Sequence, residues 1–478
     1  TPKPSSAASD VYKRQVWANL LRDAEGLAGL PVRDGGRVAL RGTGDVVVDV
    51  GSVLDVSAGA SVLADGKLRG GKGGSVTLAA HVPSGVQSSG GLLSFGGEAR
   101  GYGVTGGGTL SVSSGGRIVL GGPSDPLEAE ALRLDPSLFR SGFGKYEING
   151  YQGLAVADGA QIDVAMPVLR FEGGTTQAPG SSAQPGDVLS LWTPPLYTED
   201  PLRAGLTQRV GADLALYSDR AAQGGPIVVG EGARVSVDPG RSIQIKGADQ
   251  ISVLGRLDAW GGRISIQEPR IGEQPYVPKA NPRSVWIGEQ AVLDVAGRSH
   301  VAVDAKGRRY GLVHAGGTIE IGGKLDWEAD VDTPSRPIDR HLILRPGSLL
   351  DASGTQAVLD LSGRGATVVG SDGGTIVLSS ANSLHLDGTM RAGAGSDRAA
   401  GGTLGISFGG AFYQRNLSPE TAVQKERQLV LEQHQGDTML AADLRPGEST
   451  PALAYGYGRL GVDLSLIHIS EPTRLGMI

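Results

Sequence analysis

The 478-residue sequence has no cysteine. That excludes disulfides and thiolate metal sites. It suits a cytosolic chain, and equally one that crosses a membrane unfolded and carries no crosslinks. Aromatic residues make up only 5 %, fewer than a packed enzyme core normally uses. No apolar run reaches the length of a membrane span. The charge is mildly acidic, −6 overall, and no lysine- or arginine-rich cluster exists to bind a phosphate backbone, so a nucleic-acid partner is not expected. There is no Asp-Asp pair. Among His81, His300, His314, His341, His385 and His434, no two stand three or four residues apart, as a helical metal pair would.

What is abundant is glycine, 77 residues, together with many valines, leucines and isoleucines, a composition that does not fit disorder. The glycines recur in a phrase: Gly-Gly, a small or polar residue, then apolar–any–apolar. It occurs as "GGSVTL" (73–78), "GGTLSV" (107–112), "GGRIVL" (115–120), "GGRISI" (261–266), "GGTIEI" (316–321), "GGTIVL" (373–378) and "GGTLGI" (401–406). Alternation with period two predicts strands with one buried face. Ile319 and Ile321 then point inward and Glu320 outward. The glycines mark a turn at positive φ or a close pass of another backbone.

A second phrase is a strand followed by a turn: "SVLDVSAG" (52–59), "AVLDVAG" (291–297), "SLLDASG" (348–354), and more loosely "AQIDVA" (160–165) and "ARVSVDPG" (233–240). Here Leu293 and Val295 face inward and Asp294 outward. The two phrases keep their distance. Leu293 to Gly316 and Leu350 to Gly373 are both 23 residues, and the whole pair is displaced by 57 without a gap. Fixed-offset repetition marks a solenoid, in which each unit buries its apolar face only against its neighbours. The reading is an all-β chain, a right-handed parallel β-helix with irregular and short helical insertions. At ~20–30 residues per coil, the 57-residue displacement reads as two or three coils. An antiparallel sandwich is the alternative, since "ADGKL" (64–68) and "LDGTM" (386–390) look like Asp-Gly hairpins.

The two ends read differently. "DVYKRQ" (10–15) and "LSLIHI" (464–469) are translations of opposite strands of one DNA word, which resembles a transposase end used in sequencing-library preparation. Residues 1–15 and 464–478 are therefore expected to be adapter-derived and are set aside, leaving a net charge of −8 on a frame cut at both sides. Between them the expected organisation is a β-helix segment at 16–122, an insertion with a short helix and Pro-rich loops at 123–225, a second β-helix segment at 226–410, and a helix-containing insertion or flap at 411–463. Within these, 125–143 offers one or two helical turns. The stretch 418–435 predicts a helix capped by Ser418, with Pro419 at its first position and Gly436 beyond its end.

A search for chemistry returns little. The Asp of the second phrase recurs, which suggests either a weak cation ladder or solvated turn residues. "GGKGG" (70–74) lacks the Lys-[Ser/Thr] and helix of a phosphate loop. "GAGSD" (393–397) echoes a calcium nonapeptide without its tandem repeat. Trp192, Tyr197, Trp260, Trp286 and Trp327 offer either sugar-stacking platforms or packing for the insertions. A Ser/His/Asp arrangement stays open. No residue is assigned a catalytic, cofactor-binding or metal-binding role, and no binding residue is named.

The stretches "GSVLDVSAG…GGKGGSVTLAA", "VVGEGARVSVDPGRSIQIKG", "VLDVAG…GGTIEIGGKLDW" and "LRPGSLLDASG…DGGTIVLSSANSLHLDGTMRAGAG" resemble the filamentous-haemagglutinin-type large exoproteins of Gram-negative bacteria. The resemblance covers residues 36–410. It implies a right-handed parallel β-helix forming the rod of a secreted or surface-attached adhesin, exported by two-partner secretion. It also implies an outer-membrane transporter as partner, met through a secretion domain whose Asn-Pro-Asn-rich signature is absent here, and a host or cell-surface receptor or glycan. No family catalytic residues carry over. Two alternatives stand beside it: a β-helical carbohydrate-active enzyme, and the stalk of a contact-dependent toxin.

Overall fold

The structure, a computed structural model, describes residues 33–62, 68–80, 91–123, 130–171, 189–218, 224–268, 283–323, 338, 340–408, 428–453 and 456–466. Its frame is a parallel β-helix with three sides. One circuit shows the winding. Ser242–Gly247 lies on the first side, Ile251–Val253 on the second and Arg256–Asp258 on the third. Arg263–Gln267 then returns to the first side and pairs in parallel with Ser242–Gly247, Ile243 facing Ile264. Repetition builds two ten-stranded sheets and one seven-stranded sheet, named here sheets 1, 2 and 3. At about 4.8 Å per strand, sheet 1 runs ~43 Å along the stack.

Sequence alternation becomes burial through this register. The inward residues of sheet 1 form two columns. One runs Val76, Leu110, Tyr146, Leu214, Ile243, Ile264, Ile319 and Ile376; the other runs Leu78, Val112, Ile148, Leu216, Ile245, Ile266, Ile321 and Leu378. All are essentially inaccessible to water. Sheet 2 contributes Leu154, Ile227, Ile251, Val285, Leu342 and Leu384, and sheet 3 contributes Ile162, Val235, Leu257, Leu293, Leu350 and Met390. One continuous core results, the arrangement in which neighbouring units supply each other's burial. Most of the Gly-Gly pairs sit at the entry to a sheet 1 strand, after the third side of the coil; Gly115-Gly116 instead lies between the sheet 1 strand Thr109–Ser114 and the sheet 2 strand Ile118–Leu120. A Cβ on Gly316 would lie 2.0 Å from the Ala352 carbonyl oxygen, and one on Gly374 would lie 2.0 Å from that of Gly317. Close backbone approach is what these two positions require, whereas Gly261 of "GGRISI" takes the positive φ of +59°.

The 57-residue displacement is one coil and not two or three. Leu293 pairs directly with Leu350, and Ile319 with Ile376. The bare coil takes 21 residues from Ile243 to Ile264. Part of the excess in the longer coils goes into hairpins inserted after the third side: Ser299–Val303 with Arg309–Val313, and Gln356–Leu361 with Gly365–Gly370; the rest falls in sequence between the first and second sides, at 269–282 and 324–337, outside the described residues. Ala60–Val62 with Leu68–Gly70 does the same lower down, as do Val168–Phe171 with Leu189–Trp192 and Tyr197–Asp200 with Gly205–Gln208. Lengthening a surface loop costs little closure entropy, so coil length varies while the register holds. Of "ADGKL" only Leu68 is described, opening the second strand of the Ala60–Val62/Leu68–Gly70 hairpin; "LDGTM" is a coil corner between Ser383–Leu386 and Thr389–Arg391. Among the described residues antiparallel pairing is confined to the hairpins, and the three large sheets are parallel throughout, which removes the sandwich.

Three segmental expectations change. Residues 123–225 are not wholly an insertion, because Lys145–Gly150, Leu154–Val156, Gln161–Val164 and Asp213–Ser218 are strands of the three sheets. In 125–143 the helix shrinks to a 3-10 segment, Pro136–Arg140, after a strand at Leu132–Leu134. Asp135 caps it, accepting the Ser137 amide at 2.8 Å. The helix expected over 418–435 is contradicted at its C-terminal half. Gln428–Glu432 is a strand on the end of sheet 2, paired with Tyr457–Gly461; an available sheet edge outweighs local helix propensity there. Residues 418–427 lie outside the described residues, as do 1–15. At the other end Ser465–Leu466, within the segment set aside as adapter-derived, pairs with Met390 and Arg391. Backbone pairing at a sheet edge accepts almost any sequence.

Candidate functional site

Three aspartates of the second phrase, Asp163, Asp294 and Asp351, share one register row on sheet 3 with Ser236 and with Asp258, which lies outside that phrase. They point away from the core, yet Asp258 and Asp294 are buried. Arginines on the same face cover them. Arg256 joins Asp258 at 2.7 Å to Asp294 at 2.6 Å, Arg234 reaches Asp258 at 2.7 Å, and Arg298 reaches Asp294 at 2.8 Å. Trp260 Nε1 also donates to Asp294 Oδ2, and the Arg298 guanidinium lies 4.8 Å over the Trp260 ring. Neither the solvated-turn reading nor the cation ladder describes these two residues; both are charges closed by charges of opposite sign. Glu320 is likewise outward but buried, held by Arg263 and by Gln267. Sequence alternation gives the direction of a side chain; what then lies over it comes from neighbouring coils.

The aromatic candidates are occupied by the chain's own side chains. Arg170 lies 5.0 Å over Trp192, and Arg345 lies 5.3 Å over the buried Trp286. Tyr197 stacks on His300 at 4.6 Å and lies 6.4 Å from His314. Trp327 and His81 lie outside the described residues. The glycines of "GGKGG" spend their amides on other backbone carbonyls: Gly71 N on Gly59 O, Gly73 N on Gly106 O, Gly74 N on Val56 O. That leaves none of these three to cradle a phosphate. Asp397 of "GAGSD" sits on an exposed corner. His434 meets Asp463 at 3.5 Å on the surface. Among the described residues, no group of three or more His, Asp or Glu side chains is placed to hold a metal ion, and no helix is long and apolar enough to cross a membrane.

Two features escaped the sequence. Gly405-Ile406-Ser407-Phe408-Gly409 matches the Gly-x-Ser-x-Gly pattern, but Ser407 lies inside the strand Thr403–Phe408 and not on a strand-to-helix turn, so it is no nucleophile elbow. The second is a row of side hairpins. His300 Nε2 lies 2.8 Å from Glu199 Oε1, and Ala305 N donates to Pro201 O, which joins the 197–208 hairpin to the 299–313 hairpin. Arg309 joins the latter to the 356–370 hairpin through both its guanidinium, 2.9 Å from Asp360 Oδ1, and its backbone amide. Asp360 is thereby held down to a pKa of about 2, first by the Arg309 side-chain bonds. The row leaves Val301, Val303, Val358 and Val368 substantially exposed. The 57-residue repeat carried the signal for two of these hairpins, hidden by reading the extra length as more coils. A scan against protein-family models, a search of curated proteins and a search of solved structures each found no match.

Proposed function

We propose that this chain is a non-catalytic rod segment of a surface-exposed or secreted bacterial adhesin of the filamentous-haemagglutinin type, with the hairpin row as its contact face. The observation that carries the reading is the unbroken parallel stack bearing a lateral row of hairpins. A solenoid holds a fixed geometry over its length, and its insertions collect on one side, where a partner can meet several at once. The acidic residues of sheet 3 support a structural reading, since Asp258 and Asp294 are neutralised by arginine and do not converge with a base on an open cleft. Export through a two-partner outer-membrane transporter follows from the same reading, as does a receptor or glycan on a cell surface.

The test is adhesion. Beads coated with the chain are scored for binding to immobilised glycans and to epithelial cells, against beads carrying a version whose 356–370 hairpin is replaced by a tight turn. Binding that falls with the hairpin supports the proposal. Absence of binding, together with cleavage of acidic polysaccharides in the presence of calcium, would replace it with the carbohydrate-active alternative.

A further inference from the structure

Sheet 2 carries polar side chains on its outer face that the rod does not need. His341 and Ser383 are ladder neighbours, with His341 Nδ1 2.6 Å from Ser383 Oγ. His385 follows on the same face, between Ile343 on one side and Arg459 on the other. All but Arg459 are buried, although this is the outside of the coil. What covers the row is 433–453, which runs without helix or strand between Gln428–Glu432 and Tyr457–Gly461.

The cover is fastened at points that surround His385. Asp387, two residues along the same face, accepts Gln435 Nε2 at 2.5 Å and Thr438 Oγ1 at 2.8 Å. Arg459, its ladder neighbour, donates to the Asp437 carbonyl at 3.0 Å. Leu440 packs on Ile343 and Trp286. Arg345 donates to the Ala442 carbonyl at 3.2 Å. Beneath the cover, His385 Nε2 and Arg345 Nε and Nη1 are buried with no hydrogen-bond partner among the described residues. Such groups are costly when dry.

We propose that 433–453 is a strap that lifts from sheet 2 when His385 takes up a proton. His341, on the neighbouring strand, opposes that proton while the strap is down; Arg459, on the other side, is already paired with Glu432. The one favourable anion, Asp387, has both oxygens committed to the strap. An imidazolium at 385 competes for that carboxylate and so draws on the strap's own anchor. Burial, then His341, hold His385 down to a pKa of about 4 in the closed form. For a base held below its ordinary value of 6.5, closure is fully favoured above that value. It weakens as pH falls through the window and levels off near the closed-state value. Opening exposes Trp286 and Ile343, an apolar surface between pH 6.5 and 4 that neutral solution hides.

The chain has no cysteine, which permits a clean test. Leu440→Cys places a thiol under the strap, and 4,4′-dithiodipyridine labels thiols even in acid. Rates are normalised to an exposed Arg364→Cys. The proposal expects labelling at 440 to rise roughly 50–100-fold from pH 7.5 to 4.5, from the linkage of one such histidine. In His385→Leu, and in His385→Gln as a second neutral replacement, the rise should fall below about 3-fold. A rise that survives both replacements overturns the proposal, as does no rise at all. So does parallel labelling of an Ile264→Cys core thiol, which reports unfolding of the coil stack and not release of the strap.

Discussion

Truncating one inward isoleucine tests the column most sharply. Ile319 is fully buried, with Ile264 and Ile376 directly below and above it in sheet 1. Ile319→Ala removes three carbons. The transfer term alone is roughly 2–2.5 kcal/mol at about 0.8 kcal/mol per carbon. The cavity adds to it, because side chains above and below are fixed by their own ladder bonds and cannot close the gap, so about 3–4 kcal/mol is expected within the known 2–5 range. Val301→Ala deletes carbons from a residue 40 % exposed on a side hairpin, and about 0.5 kcal/mol or less is expected. The assay is urea unfolding followed by circular dichroism, with both variants compared at unchanged slope. A loss below ~1 kcal/mol at Ile319, or an equal loss at Val301, would refute the burial pattern on which the column rests.

Other positions carry their own outcomes. Gly316→Ala forces a Cβ against the Ala352 carbonyl at 2.0 Å and should cost about 1–3 kcal/mol, whereas Gly36→Ala, with nothing within 4 Å, should be close to neutral in the same melt. Asp294→Ala strips the shared partner from Arg256, Arg298 and Trp260 and should cost about 1–3 kcal/mol, less than a fully buried pair because both guanidinia are partly exposed; Asp294→Asn should recover part of it. Asp360 has its folded value depressed to about 2 by Arg309, so its contribution to hairpin packing is present above the ordinary carboxylate value and lost as pH falls toward 2. A carboxyl-carbon NMR titration should show Asp360 as a late-titrating signal that moves back up in Arg309→Leu.

The parts of the fold legible in sequence were those set by period two. Ile319, Ile321, Leu293 and Val295 face inward as alternation dictates, and all four are buried. At Gly316 and Gly374 the glycine phrase marked the entry to sheet 1, because only glycine fits so close to the next backbone. Coil length was misread, since a fixed offset measures the repeat and says nothing of how much of it leaves the stack as a hairpin. Gln428–Glu432 was misread because Ser418, Pro419 and Gly436 are local signals, and an open edge of sheet 2 is not. The closure of Asp258 and Asp294 by arginine was invisible for a related reason: Arg234 and Arg256 share one register row and Asp258 and Asp294 another on the same face, and only the register sets these distant positions side by side. The strap follows the same logic, because nothing near His385 in sequence announces that 435–442 will lie across it.

The most direct test of the stack is a pair of spin-label distances along the outward row of sheet 1. Thr77 and Val377 are joined through Ser111, Glu147, Ala215, Gln244, Ser265 and Glu320, seven strand steps apart, and labels there should lie ~34 Å apart. Labels at Glu147 and Val377, five steps apart along the same row, should lie ~24 Å apart. Distances that scale with the number of steps are the prediction. Two distances that do not keep that seven-to-five proportion would contradict a single parallel stack.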